Sequence, residues 1–392
     1  MRRLLIVDSS VSARSPTMRS WLAAAPAVLP QRFDEVEIWG FHCELNESWV
    51  KWRRITPVTK RWAIQSIFYD LKVRKMMNRT SDRYRSETLI QCTGTHLPKT
   101  DVRYIQFWNT AYAEAALERP DFLRLPLKDR IVGPLLRREE RLSLLPGRTG
   151  EWWCVSRGIS APIIRDSTVA PIIRYLPNAY NSARFNQNHR ESIRHEMRSH
   201  YHFKDDDIVF SFSAFGHFER KGLRQAAQAV ASLRASGHPV RLLVLGGKPG
   251  TIRSFRASLS RLGIDAGGLH FAGLVPDMEK HLSAADAFFM PSHFEAFSLA
   301  EIEAAALGLR LYLTAHPGHE MILREGTNGR LLPWEPAGMA AILGEEIRSG
   351  IIRIPHREIG EALNADAYAA AMAANYDAAI RRKWGEDKAG NG

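Results

Sequence analysis

The sequence predicts an α/β protein made of two doubly wound, mostly parallel sheets, one in each half of the chain. Three observations carry this. Short apolar runs alternate with helical patterns along most of the 392 residues, as strand–crossover–strand units require. The run at 240–245 is almost continuously apolar, the mark of a strand buried on both faces. The length suits two domains better than one.

Taken in order, residues 4–7 form a first strand, followed by a polar loop and a helix through Trp21. A second strand covers 36–41, and 59–78 has helical periodicity. Strands come next at 89–93 and 103–107, a helix lies within 125–145, and a strand at 152–155 stands ahead of Ser156. Residues 172–176 lead into Pro177, Asn178, Ala179 and Tyr180, after which the alternation restarts cleanly at Asp207. Gly246 and Gly247 end the 240–245 strand, where close backbone approach is expected. Domains are expected at 1–178 and 179–365, facing each other across a cleft.

Hydrophobic residues make up 45% and charged residues 24%, the balance of a soluble globular protein. No apolar run reaches membrane-spanning length, and MRRLLIVDSS reads as a first strand rather than a secretory signal. The three cysteines, Cys43, Cys92 and Cys154, are few, odd in number and far apart. They indicate neither a disulfide framework nor a zinc site, and a reducing cytoplasm is the expected setting.

The net charge of +12 has a local source. Residues 49–79 carry Lys51, Arg53, Arg54, Lys60, Arg61, Lys72, Arg74, Lys75 and Arg79 against Asp70, interleaved with Trp49, Trp52, Trp62, Phe68 and Tyr69. A second group, Arg137, Arg138 and Arg141, lies among leucines in the 125–145 helix. Aromatics among cations suit the surface of an anionic membrane, and the same pattern suits a solvated helix face. No groove-reading or base-stacking motif appears, so nucleic acid is not an expected partner.

The most informative stretch is PSHFEAFSLAEIEAAALG, residues 291–308. Ser298 is an N-cap candidate and Glu301 completes a capping box. Leu299, Ile302 and Ala306 give the helix an apolar face, and Gly308 is placed to end it. Glu295 then lies in the loop before the helix and Glu303 in its second turn. The amides of the first turn lack helical partners and attract a phosphate. Carboxylates on either side of an anion site suit a nucleotide sugar.

The eight-residue spacing of Glu295 and Glu303 resembles the E-x7-E motif of retaining glycosyltransferases of family 4, which have the GT-B fold of two Rossmann-like domains. The flanking segments LHFAGLVPDMEKHLSAADAFFMPSHFEAFS, HPGHEMILREGTNGRLL and FSFSAFGHFERKGLRQAAQAV resemble that family's in the same order, from about Trp152 to Leu332. The resemblance implies that Glu303 holds the ribose hydroxyls and Glu295 the transferred sugar. Lys221 and Arg220, cations at a helix start where the dipole disfavours them, then meet the diphosphate. Phe297, Ser298 and Leu299 supply loop and amides, and Gly273, Leu274 and Val275 lie beneath the base. Gly318 and His319 lie near the sugar. The final helix, 366–385, is expected to pack back on the first domain.

The resemblance implies metal-independent hexosyl transfer from a nucleotide-diphosphate sugar to a glycan or lipid-linked acceptor, in the cytoplasm or peripheral to the inner face of a membrane. The departures from the family pattern fall on catalytic reach. DSSVSARSPTMR has no glycine where the family's first loop has them, leaving Ser10 or Arg14 as substitutes. Gly216, next to His217, stands where many members carry an arginine. Gln106, Trp108 and Asn109 stand where many carry a histidine, with His96 nearby in sequence. A catalytically impaired nucleotide-sugar-binding or scaffold protein of the same fold is the alternative.

Overall fold

The computed structural model describes residues 1–15, 17–59, 62–117, 127–356 and 361–385. The chain divides into two compact units, Met1–Ala179 with Ala365–Gly392, and Tyr180–Asn364. Lys60, Arg61 and Leu125 lie outside the described residues, as does the side chain of Trp62.

In the first unit the strands are β1 (Arg3–Val7), β2 (Ser10–Val11), β3 (Glu35–Gly40), β4 (His42–Cys43), β5 (Val50–Arg54), β6 (Thr88–Thr93), β7 (Thr100–Ile105), β8 (Thr149–Cys154) and β9 (Ile173–Tyr175). Seven of them form one sheet in the order β5-β3-β1-β6-β7-β8-β9, parallel throughout. β2 and β4 form a small parallel pair beside it. Leu4 to Val7 are fully buried, because helices cover both faces of such a sheet.

Several elements differ from the sequence reading. The first helix runs Arg19–Val28, through Pro26, beyond the expected end at Trp21. β7 begins and ends earlier than 103–107, so Phe107 is an exposed loop residue. β5, read as part of a basic patch, is an edge strand paired with β3. Its Lys51 and Arg53 meet Glu35 and Glu37 of β3, while Arg74 meets Glu139 at 2.7 Å. Three of the nine cations of the 49–79 patch are thus paired with acids from other segments.

The second unit holds β10 (Ile208–Ser213), β11 (Val240–Leu245), β12 (Leu269–Gly273), β13 (Ala287–Met290), β14 (Arg310–Leu313) and β15 (Gly329–Leu331). Their order is β12-β11-β10-β13-β14-β15, again parallel. A helix absent from the sequence reading, Gln187–His200, opens this unit with Asn186 as its N-cap. Its buried side chains are Arg190, Met197 and Arg198, so its inward face is largely guanidinium. Arg190 reaches the Ala285 carbonyl at 3.0 Å, and Arg194 and Arg198 converge on Asp286. Apolar periodicity could not mark it.

The last helix, Ala365–Trp384, belongs to the first unit. Tyr376 is buried on it, accepting a hydrogen bond from Trp21 Nε1 at 2.9 Å and donating to Gln91 Oε1 at 2.7 Å. Its ring packs edge-on to Phe33 and Trp153. Lys383 pairs with Asp101 at 2.6 Å, where the cationic end of the chain also suits the helix C-terminus.

Candidate functional site

In the second unit the chain runs from β10 outward through β11 to β12, then returns to place β13 on the other side of β10. The loops leaving β10 and β13 therefore diverge at a topological switch point, where open parallel sheets bind ligands. The first loop carries Arg220 and Lys221 and the second carries Glu295.

Gly222 lets the two loops touch. It caps the helix Leu223–Ala235 in a left-handed conformation, φ 76°. A Cβ there would lie 1.8 Å from the Pro291 carbonyl oxygen. His293 N donates to the Arg220 carbonyl at 2.8 Å, which fixes the loops in register. Arg220 then reaches the Phe294 carbonyl and, at 2.9 Å, Glu295 Oε1. Lys221 Nζ lies 3.2 Å from the same oxygen, and Ser292 Oγ donates to it at 3.3 Å. Glu295 is buried, at 9% exposure. Burial alone would raise its carboxyl, but Lys221, Arg220 and His316 outweigh that and hold it at about 2. It is a fixed anion at any physiological pH.

The helix Leu299–Ala306 comes next, with Ser298 at the N-cap position and Gly308 beyond its end at φ 76°. The expected capping box is not made: the Ser298 hydroxyl bonds no amide. Glu301 turns instead to His316, whose Nε2 lies 3.1 Å from Glu301 Oε1, both side chains being fully buried. An ion pair in a low-dielectric interior outcompetes a cap bond to one amide. Burial would lower the His316 imidazole, but Glu301 and Glu295 push it up, which favours its cation. The apolar face also differs: Ile302 is buried while Leu299 and Ala306 are half-buried, and Glu301 and Glu303 lie inside. Arg184, paired with Glu279 at 2.6 Å, carries a guanidinium that feels the Glu303 charge.

Gly318 is a close neighbour of the Glu295 loop. Its N–H donates to the Glu295 carbonyl at 3.2 Å, and a Cβ would meet the Ala296 carbonyl oxygen at 2.7 Å. His319 is turned back on its own segment, with Nδ1 2.5 Å from the His316 carbonyl oxygen. The imidazole beside Glu295 is thus that of His316, which the sequence reading passed over. Its one signal was a position in the same HPGH segment.

Gly273 ends β12 at φ 74°, and its carbonyl accepts from Gly246 N at 2.6 Å. A Cβ on Gly246 would lie 2.1 Å from the Ala214 carbonyl oxygen, so the ends of β10, β11 and β12 meet through glycine. Leu274 is exposed and Val275 half-buried beyond them. Gly216, φ 114° with open space around it, and exposed His217 lie on the β10 loop. The structure thus brings Arg220, Lys221, Glu295 and Gly318 into one contact set. Leu274, Val275, Gly216 and His217 stand on neighbouring loops.

In the first unit, the residues offered in place of a histidine are engaged internally. Gln106 and Asn178 exchange amide hydrogen bonds at 3.1 Å. Trp108 is buried edge-on to Trp152, and Asn109 Nδ2 donates to Glu140 at 2.8 Å.

Residues 206–347 match the family described as "Glycosyl transferases group 1". A putative colanic acid biosynthesis glycosyltransferase, WcaL of Salmonella typhimurium, is 30% identical over 136 residues, 32% of this chain. The match spans about a third of that curated relative, 33% of its length. Among solved structures, WaaG, a glycosyltransferase involved in lipopolysaccharide biosynthesis, has a TM-score of 0.71 at 18% identity, covering 95% of each chain. Sucrose-phosphate synthase of Thermosynechococcus elongatus gives 0.70 at 14%, covering 96% of this chain and 99% of that one. Anabaena Alr3699/HepE, solved in complex with UDP and glucose, gives 0.65 at 15%, covering 96% and 100%. These likenesses show the fold, which is that of GT-B glycosyltransferases.

Proposed function

We propose that this chain is a retaining glycosyltransferase moving a hexose from a nucleotide-diphosphate sugar to a hydroxyl of a cell-surface glycan or lipid-linked acceptor. The observation that carries the reading is the ionised Glu295 shared by Lys221 and Arg220 beside a helix start, at the switch point of the second unit. The Anabaena protein solved with UDP and glucose supports a nucleotide sugar as the ligand class.

In this mechanism the acceptor hydroxyl attacks the anomeric carbon as its bond to the diphosphate breaks, on the same face. Charge builds on the leaving phosphate, where Lys221, Arg220 and the helix amides lie ready. The departing phosphate oxygen takes the acceptor's proton, so the reaction needs no metal. Glu303 holds the ribose hydroxyls as an acceptor of two donors, and Glu295 orients the sugar.

A thermal-shift screen against nucleotide sugars tests the donor site. At about a hundred times its dissociation constant a ligand adds roughly 2.7 kcal/mol of stability. We expect one nucleotide class to give this shift and Glu303→Ala to remove it. A full shift in the variant sinks the assignment of Glu303. A second reading, binding without transfer, draws on the internal engagement of Gln106, Trp108 and Asn109. A donor shift with no turnover on any acceptor favours it.

The helix Trp62–Asn78 suggests a partner surface. Ile64, Ile67 and Leu71 share one face at 50%, 47% and 63% exposure, with exposed Lys72, Lys75 and Arg79. Apolar groups beside exposed cations suit an anionic lipid surface, each cation adding about 1 kcal/mol. No described helix is long and apolar enough to cross a membrane. Cosedimentation with phosphatidylserine vesicles is expected at low salt and lost at high salt. Binding indifferent to salt contradicts the electrostatic part.

A further inference from the structure

The segment that follows β14 is tied to the Glu295 loop at both ends. Thr314 Oγ1 donates to the Ser292 carbonyl at 2.6 Å, and Gly318 N donates to the Glu295 carbonyl at 3.2 Å. His316 lies between these two bonds, against the helix Leu299–Ala306. Its Nε2 is 3.1 Å from Glu301 Oε1, and neither side chain has any exposed surface. Among the described residues Glu301 has no other ion-pair partner. For stability alone, apolar side chains of the same volume would serve as well. An ionised pair here has a further effect, because it stands beside the carboxylate that Lys221 and Arg220 share.

The titratable groups around His316 come from three segments. The helix supplies Glu301, with Glu303 also on its buried side. The loop before it supplies Glu295, which Arg220 and Lys221 contact at 2.9 and 3.2 Å. Its own segment supplies His319, whose ring lies edge-on at 5.7 Å. Burial lowers the imidazole, but Glu301 and Glu295 outweigh this and raise it. Glu295, its three cations and Glu301 together carry one positive charge while His316 is protonated. They carry none once the proton leaves, and Glu301 is then a buried carboxylate without a counter-charge.

We propose that His316 is a positioning residue of the donor site. Its cation, held by Glu301, sets the charge that an incoming diphosphate meets, so the diphosphate and the proton at His316 bind cooperatively. The inference rests on the donor reading and adds to it a regulation by pH. Below the ordinary imidazole value of 6.5 the pair is intact, and as pH rises through the raised value the proton is lost. Donor affinity and melting temperature should then fall together. By linkage, a bound diphosphate tightens the proton on His316 in turn.

The test is donor affinity measured by calorimetry on the full chain, from roughly pH 6 to pH 9, the range in which a raised imidazole titrates. UDP-glucose, dTDP-glucose, GDP-mannose and ADP-glucose are the probes, since their diphosphates do not titrate there. For a probe that binds, the dissociation constant should rise at least about fivefold across the His316 titration. Nitrogen-15 spectra of the imidazoles follow that titration, and saturation with the probe should move its midpoint to higher pH. Glu301→Gln should move the loss of affinity toward acid by about 1–3 pH units, which a merely structural partner would not do. The double variant His316→Gln with Glu301→Gln leaves an uncharged pair and keeps the test open if a single variant fails to fold. It also identifies the His316 signal, and its affinity should be flat across the range. A flat dissociation constant in the parent, or an unchanged pH dependence in the double variant, overturns the inference and leaves the donor reading standing. No binding of any probe at the acid end sinks both.

Discussion

Lys221→Ala should lower turnover by about 10²–10³-fold, the loss typical of removing one preorganised charge from a developing anion. Under the proposed transfer reading Lys221 has this role; its position is set by the helix start at Gly222 and by Glu295, which it shares with Arg220. The partner is buried and ionised, so the ammonium is held in place beside it before any ligand arrives. Stabilisation confined to the transition state acts on kcat more than on KM. Steady-state release of the nucleotide diphosphate, measured for Lys221→Ala and Lys221→Arg, checks this. The arginine variant should recover only part of the rate, because a fork replaces a point charge. A kcat within twofold of the parent in the alanine variant removes Lys221 from the mechanism. The melting temperature must be read alongside, since Glu295 loses one of the cations that hold it ionised.

Gly222→Ala should be among the most damaging single methyls in the second unit. Two costs coincide at one position. The left-handed backbone penalises any side chain by about 1–3 kcal/mol, and the new carbon would sit 1.8 Å from the Pro291 oxygen. Backbone cannot move aside as a flexible side chain would, which adds about 1–3 kcal/mol. A fall in melting temperature of roughly 5–15 °C is expected. Gly216→Ala separates the two costs. Its φ is 114°, but nothing lies within 4 Å of the new carbon, so it should show the conformational penalty alone. Equal losses in both variants refute the steric argument, and with it the claim that contact between the two loops requires glycine.

How much of this was legible depended on where each interaction partner lay in the sequence. The inner strands β1, β10 and β11 showed as apolar runs because both their faces are covered. β5 did not, since VKWRR reads as charge; the glutamates that pair with its Lys51 and Arg53 sit on the neighbouring strand β3. The helix Gln187–His200 hid for a related reason, its inward face being largely arginine directed at carbonyls and Asp286. At the site, Glu295, Lys221 and Arg220 stood out through the resemblance of the segments that carry them, and they converge. The capping box failed because a local pattern of Ser298 and Glu301 cannot reveal a buried histidine arriving from beyond β14. His319, chosen over His316, shows the same limit: two imidazoles three residues apart look alike until one is buried.

The return of the last helix to the first unit has a consequence for biosynthesis. Trp21 and its partner Tyr376 are separated by 355 residues. At about 5–20 residues per second, on the order of 20–70 s pass between their emergence from the ribosome. Throughout that interval the first sheet lacks the helix that covers Trp21, Gln91 and Trp153, while the second unit is continuous in sequence and can close first. The N-terminal half is thus made first and completed last. Its uncovered apolar surface must be shielded in the nascent chain until the final turn of helix is made.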